Sequence, residues 1–370
     1  MSSRRYYIIA GEPSGDMHAA NLVNAMKNID PAIRIRGFGG EKMSKVGVDI
    51  VRGLDKLSFV GFFEIIKHLK TIKENFDIAK KDIVDFMPDA LILIDYPGFN
   101  LRLAKWAKSM GIKVFYYIAP QVWAWGKGRI KNMRKYIDRL FVILPFEEQF
   151  FKKNNVNAEY VGHPLLDEIA GFKMEDDFLV KNNIPVNKKI VAFLPGSRQL
   201  EINKHIKTIL PVIARNPDLF FLVAAKKGLN SSQMQKMKDY DNVKMLYDET
   251  YKILNVSDAG IIKSGTSSLE AAFFELPQVV IYKMNPLSYI LVKILTGIKY
   301  ASLVNLILKR EAVKELIQFD FTTSNVEKEL YKLFDNKIRQ SIFNDYRQIK
   351  EKMKKEGSSS QIVAQRISEN

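Results

Sequence analysis

Apolar and polar positions follow two periods along this chain. Short apolar runs ending in Gly, Pro or Asp lead into stretches with apolar residues at helical spacing, which is the order of a parallel sheet covered by helices. In the first half the runs predicted as strands are residues 6–10, 33–37, 90–94, 114–118 and 140–144. After Val161-Gly162-His163-Pro164 the pattern restarts, with runs at 190–194, 219–223, 243–246, 259–262 and 278–282. The expected fold class is α/β, with two doubly wound Rossmann-like domains over residues 1–164 and 165–340, joined through residues 164–188. Helices in 341–370, marked by Phe343, Tyr346, Ile349 and Met353 at helical spacing, are expected to return across the junction to the first domain or to a second copy in a homodimer.

In open α/β sheets ligands bind beyond the carboxyl ends of the strands, so the segments after each run are where chemistry is sought. Two of them suit phosphate. Pro195-Gly196-Ser197-Arg198 sets backbone N–H groups, a hydroxyl and a guanidinium at a helix N-terminus, where the dipole favours an anion. An ordinary tight turn with a solvated arginine has the same composition. Ser264-Gly265-Thr266-Ser267 is similar, and Glu270, one to two turns into the next helix, suits the hydroxyls of a ribose. The competing reading there is a Ser/Thr cap supported by its glutamate. Two such turns in one half point to a nucleoside diphosphate.

The first half offers carboxylates. Gly11-Glu12-Pro13-Ser14-Gly15-Asp16 follows the first strand: Gly11 and Gly15 allow close approach, Ser14 and Asp16 suit caps or substrate, and Glu12 either points toward the site or is a simple capping residue. Asp95, directly after an apolar run, is a general base if it faces the site and a structural acceptor if it does not. Asn100, Gln121 and Trp123 occupy the same strand-end segments and are candidates for substrate contact. His18, one turn into the first helix, is the reserve base, with a surface-facing or capping role as the competing reading. Trp123-Ala124-Trp125 leads into a basic helix with Lys127, Arg129, Lys131, Arg134, Lys135 and Arg139, a pattern shared by nucleic-acid surfaces, anionic bilayers and plain solvated faces. Phe59, Val60, Phe62, Phe63, Ile65, Ile66 and Leu69, flanked by Lys67, Lys70 and Lys73, form a helix that is either buried or inserted at a headgroup boundary.

Composition narrows these choices. A length of 370 residues suits two sizeable cores, and 47% apolar with 26% charged residues excludes disordered, collagen-like and disulfide-scaffold chains. The net charge of +16 raises the prior for nucleic acid, an acidic membrane or a phosphorylated substrate. Zero cysteines exclude disulfides, Cys-ligated zinc, iron–sulfur clusters and a thiol nucleophile. The four histidines lack metal-ligand spacing, so no protein metal site is expected. The N-terminal apolar stretch is too short for a signal peptide. The tract 286–308 is broken by Lys293, Gly297 and Lys299, so no spanning segment is expected and the chain reads as cytoplasmic.

Taken in order, AGEPSGD (10–16), IDYPGFN (94–100), PQVWAWGKGRI (120–130), LPFE (144–147), VGHP (161–164), LPGSR (194–198), SGTSSLEA (264–271) and YASLVNLI (300–307) resemble the lipid-A-disaccharide synthases. These are bacterial glycosyltransferases with two facing Rossmann-like domains, the GT-B architecture. The resemblance implies transfer of 2,3-diacylglucosamine from UDP-2,3-diacylglucosamine to the 6-hydroxyl of 2,3-diacylglucosamine 1-phosphate (lipid X). The products are a β-1,6 tetraacyl disaccharide phosphate and UDP, formed with inversion and without metal or other cofactor. It further implies Asp95 as the strand-end aspartate, Arg198 at the diphosphate and a functional Asn305. This chain has Gly98 where relatives often carry a second acidic residue, which makes Asp95 the only carboxylate of its loop, and Val304 where they have proline. Competing readings are an undecaprenyl-linked N-acetylglucosaminyl transferase or a UDP-sugar 2-epimerase of the same fold, and a basic nucleic-acid-binding protein. The last leaves the phosphate turns and Asp95 unexplained, so nucleic acid is not expected as a partner. Peripheral attachment to an anionic inner membrane accounts best for the surplus charge.

Overall fold

Successive side chains of β1 (Arg5–Ala10) enter two different cores. Tyr7 and Ile9 pack with Leu91, Leu93, Tyr116 and Leu140 on one face, and Tyr6, Ile8 and Ala10 pack with Ile92, Ile94, Phe115 and Tyr117 on the other. A strand covered on both faces has no reason to alternate apolar with polar, hence the uninterrupted run in the sequence. The computed structural model describes residues 3–57, 69–123, 126, 128–228, 232–286, 289–290, 293 and 299–369. The apolar segment 59–69 and Trp125 with Lys127 therefore lie outside the described residues, apart from Leu69, which opens the helix Leu69–Phe86.

The chain divides into two units, Met1–Asp167 with Met353–Asn370, and Glu168–Lys352. In the first, β1, β2 (Arg34–Gly39), β3 (Asp49–Gly53), β4 (Ala90–Ile94), β5 (Lys113–Tyr117), β6 (Arg139–Val142) and β7 (Ala158–Tyr160) form a parallel sheet in the order β3-β2-β1-β4-β5-β6-β7. In the second, β8 (Lys189–Leu194), β9 (Leu219–Ala225), β10 (Val243–Tyr247), β11 (Ala259–Lys263), β12 (Gln278–Tyr282) and β13 (Lys314–Ile317) form another, in the order β10-β9-β8-β11-β12-β13. Both are doubly wound sheets. The strand order reverses between β1 and β4 and again between β8 and β11, and it is at such reversals that the loops part and leave room for a ligand.

Strands β3, β7 and β13 were not expected from the apolar runs. Each lies at the edge of its sheet, and DIVRG, AEY and KELI carry polar residues because an edge strand is only partly covered.

The C-terminal part of the chain changes units at Met353, whereas the sequence placed the boundary at 340/341. The helix Asn336–Met353 is held in the second unit: Tyr346, 1% exposed, donates its hydroxyl proton to Leu276 O at 2.9 Å and accepts from Gln278 Nε2 at 3.0 Å. The helix Ser359–Ser368 instead seats Val363, Ala364 and Ile367 in the first unit's core, beside Leu22, Val23 and Met26 of the helix Pro13–Ile29. Ser359 fixes its start, donating from both N–H and Oγ to Asp167 Oδ2 at 3.0 and 2.9 Å. No helix among the described residues is long and apolar enough to cross a membrane.

Candidate active site

In the first unit, Ala10 pairs with Ile94, so the loops leaving β1 and β4 are neighbours at the strand-order reversal. This brings Glu12 and Asp95 together across more than eighty residues of sequence. Asp95 and Tyr96 adopt left-handed backbone conformations with φ of 45° and 48°, which for non-glycine residues costs on the order of 1–3 kcal/mol each and persists only where the surroundings enforce it. They do so here through both backbone groups of Asp95 and through the Tyr96 ring. Asp95 N–H donates to Tyr117 O at 3.1 Å, and its carbonyl oxygen accepts from Asn100 Nδ2 at 2.8 Å and from the Tyr116 hydroxyl. Tyr96 stacks on Phe99 with centroids 5.6 Å apart and donates its hydroxyl proton to Leu57 O at 2.9 Å. Gly11 is a glycine because the Tyr96 ring lies over it: a Cβ there would sit 2.4 Å from the ring.

With its backbone fixed, Asp95 is held as a carboxylate at the mouth of the sheet. Burial, followed by the neighbouring Glu12 charge, raises its pKa to about 6, against a smaller opposing effect of the Tyr96 N–H. Glu12 and Ser14 are exposed, and Glu12 stands at the N-cap of the helix Pro13–Ile29 without making a side-chain cap.

Asp16, expected at the substrate, is 4% exposed and committed to the fold. Its oxygens accept backbone N–H groups from Gly40, Lys42 and Met43 at 2.7, 3.1 and 3.1 Å, capping the helix Glu41–Lys45. Gly15 is buried against Ala10, where a Cβ would meet the Ala10 Cβ at 3.4 Å. Asn100 is likewise fully buried, donating also to Ile94 O at 3.2 Å, and acts by holding Asp95. His18 is held at a pKa of about 4 by burial and by Lys42, and His163 at about 3 by burial and by His18. His18 is therefore neutral at physiological pH but a weaker base than Asp95.

Gln121 is exposed. Trp123 is oriented by a residue to which the sequence assigned no role: its Nε1 donates at 2.9 Å to Oε1 of Glu147, and its ring meets Phe146 edge-on at 5.0 Å. Glu147 is 1% exposed and its other oxygen accepts Leu144 N–H at 3.0 Å; burial raises its pKa to about 7. A carboxylate in the first turn after Leu144-Pro145 reads as a helix-start signal, and only the fold places Trp123 against it.

The second unit repeats the geometry. Leu194 of β8 pairs with Ile262 of β11, setting the turns Pro195–Arg198 and Lys263–Ser267 side by side. Gly196 and Gly265 have φ of 109° and 143°, left-handed backbone conformations that favour glycine. The first turn is pinned by His205, which is fully buried. His205 Nε2 accepts Lys283 N–H at 3.1 Å, so Nδ1 carries the proton and donates to Pro195 O at 2.7 Å. Ser197 is exposed, and Arg198, at the N-cap of the helix Gln199–Arg215, extends an exposed guanidinium 3.2 Å from Glu201 Oε1.

On the second turn, Ser264 Oγ donates to Ala301 O at 2.7 Å, while Thr266 and Ser267 open the helix Thr266–Phe273. Glu270 has its pKa raised to about 7 by burial and by Glu168, whose Oε2 accepts the Tyr251 hydroxyl at 3.0 Å. Asn305, expected to act on substrate, is fully buried with its amide committed. Nδ2 donates to Val313 O at 2.8 Å and Glu315 Oε1 at 2.7 Å, and Oδ1 accepts from Ala312 and Val313 N–H at 2.8 and 3.0 Å. It closes the loop after the helix Leu303–Leu308. Among the described residues no group of three or more His, Asp or Glu side chains is placed to hold a metal ion.

A family model described as lipid-A-disaccharide synthetase matches residues 6–367. A lipid-A-disaccharide synthase of Coxiella burnetii is 34% identical over 369 residues, 98% of each chain. One of Geobacter sulfurreducens is 36% identical over 341 residues, 90% of this chain and 89% of its own, and one of Syntrophus aciditrophicus is 38% identical over 329 residues, 86% and 85%. Among solved structures, the Methanocaldococcus jannaschii UDP-GlcNAc 2-epimerase in complex with UDP-GlcNAc and UDP superposes with a TM-score of 0.66 at 12% identity, covering 99% of this chain and all of that one. The calicheamicin glycosyltransferase gives 0.61 at 12%, covering 100% and 98%. At these identities the structures bear on the fold alone, which is the two-unit GT-B type.

Proposed function

Since the chain belongs to the lipid-A-disaccharide synthetase family and is a glycosyltransferase, we propose that Asp95 is the base by which it joins two acylated glucosamines with release of UDP. The donor is UDP-2,3-diacylglucosamine and the acceptor 2,3-diacylglucosamine 1-phosphate. The observation that carries the assignment is the double left-handed turn that presents the Asp95 carboxylate beside Glu12 with a pKa of about 6. A base in that range is deprotonated at neutral pH yet retains proton affinity as the acceptor 6-hydroxyl attacks.

On the donor side, Arg198 and the turns at Pro195 and Ser264 neutralise the charge that develops on the departing UDP. Glu270 accepts hydrogen bonds from the ribose hydroxyls, which favour its ionised form and offset the rise caused by burial and Glu168. A preorganised donor of this kind is worth roughly 2.7–4 kcal/mol in the transition state. Glu12, Ser14, Gln121 and Trp123 of the first unit contact the acceptor.

The surplus of basic residues serves attachment to an anionic bilayer, each basic residue near such a surface contributing about 1 kcal/mol. Lys131, Arg134 and Lys135 are exposed on the helix Arg129–Tyr136, and Arg134 with Lys153, Ile130 and Phe150 lines an open groove. Release from vesicles of anionic lipid by high salt supports attachment by charge, and salt-insensitive binding rejects it.

The reaction is tested by mixing the chain with both acylated glucosamines and following the tetraacyl disaccharide phosphate by mass spectrometry, with UDP release measured alongside. Stoichiometric appearance of both products is expected. UDP release without disaccharide, or neither product, overturns the reading.

A further inference from the structure

Lys263 is the last residue of β11, yet its side chain reaches toward the neighbouring turn from β8. A Cβ added to Gly196 would lie 3.3 Å from its Cγ, and one added to Gly265 would lie 3.6 Å from its Nζ. The ammonium group thus stands between the two turns that carry the phosphate chemistry. It is largely enclosed, with 18% of the side chain exposed, and lies 5.4 Å from the centroid of the Tyr282 ring.

Its electrostatic partner is Glu201, in the first turn of the helix Gln199–Arg215. Glu201 Oε2 is 3.7 Å from Lys263 Nζ, while Oε1 accepts from Arg198 Nη1 and from the Tyr282 hydroxyl, both at 3.2 Å. One carboxylate, itself 13% exposed, gathers both cations to one point. Burial lowers the Lys263 pKa, and the nearby Arg198 adds to that effect, while Glu201 opposes it. Two cations that repel one another have been brought to a single carboxylate at a site where their joint charge exceeds its own. A dianionic group arriving between the turns relieves that repulsion, and an enclosed ammonium interacts with it more strongly than an exposed guanidinium does.

We propose that Lys263 is the second cation of the donor-diphosphate site, with Glu201 as the residue that positions it together with Arg198. Arg198 meets the diphosphate from the helix side and Lys263 from beneath the two glycine turns, so the charge of the leaving group is shared between two side chains. The assignment rests on the donor site of the proposed function.

The test is the affinity of the full-length chain for UDP and for UMP, measured by calorimetry, in the wild type and in Lys263→Met. Loss of at least tenfold in UDP affinity with less than threefold loss for UMP is expected, because UMP lacks the second phosphate. Lys263→Arg is expected to restore most of the UDP-over-UMP preference. Should Lys263→Met not fold, Lys263→Gln is read by the same ratio. An unchanged UDP affinity, or equal weakening of UDP and UMP, overturns the assignment. A wild-type chain that binds no UDP rejects the donor site itself and Lys263 with it. Wild-type binding that Arg198→Ala weakens and Lys263→Met leaves intact rejects Lys263 alone.

Discussion

Asn100 Nδ2 donates at 2.8 Å to the carbonyl oxygen of Asp95, five residues earlier and in a left-handed conformation. A buried amide is thereby tied to the backbone of the proposed base while leaving its carboxylate untouched. The bond is one of the contacts that hold two consecutive non-glycine residues at positive φ at the end of a central strand.

Asn100→Ala removes that tie and leaves the Asp95 and Ile94 carbonyls short of a donor. A stability loss of about 1–3 kcal/mol in urea unfolding is expected. The turnover number should fall with it, because Asp95 is no longer held in its strained turn. Full activity with wild-type stability would show that the Tyr116 hydroxyl and Tyr117 carbonyl suffice.

The rate should depend on ionisation of Asp95. As its pKa is raised to about 6, kcat/KM is expected to climb with pH up to about 6 and then level off. Asp95→Asn should abolish this acidic limb and lower kcat by about a hundredfold or more, with donor affinity retained. A variant that keeps both rate and limb returns the role of base to another group.

Glu147 ties stability to pH. Its folded pKa of about 7 lies above the ordinary value of 4.5, so folding favours its protonated form. The sign follows: its contribution is fully present below about pH 4.5, declines as pH rises, and is gone above about pH 7. Glu147→Gln keeps an acceptor for Trp123 without a charge to bury and should flatten that decline, by on the order of 3 kcal/mol across the window. Unfolding midpoints for both chains from pH 4.5 to 8 would reveal it, and parallel curves would count against it.

Asn305→Ala is expected to act on the fold, because both ends of the amide are bonded within the chain. Loss of about 1–3 kcal/mol of stability should accompany UDP affinity within twofold of wild type in the folded protein. A large loss of UDP affinity at normal stability would restore Asn305 to the substrate.

Much of this molecule is legible in its sequence. Uninterrupted apolar runs identify the central strands because both faces of each sheet are covered, and the motifs that follow them, from Glu12 to Arg198 and Glu270, stand at strand ends as the pattern requires. Edge strands β3, β7 and β13 escape the same reasoning because they are short and carry polar residues among their apolar ones. Tertiary structure alone decided which strand ends are neighbours, since the order β1-β4 and β8-β11 joins segments far apart in the chain. It also decided what each polar side chain is bonded to. Asp16 and Asn305 look like substrate ligands in the sequence but are bonded within the fold, Asp16 by backbone N–H groups and Asn305 by backbone groups and Glu315, whereas Glu147 and Lys263 acquire their roles from neighbours that local spacing does not reveal. A residue type states which hydrogen bonds a side chain can make; the surrounding backbone determines which of them remain for a substrate.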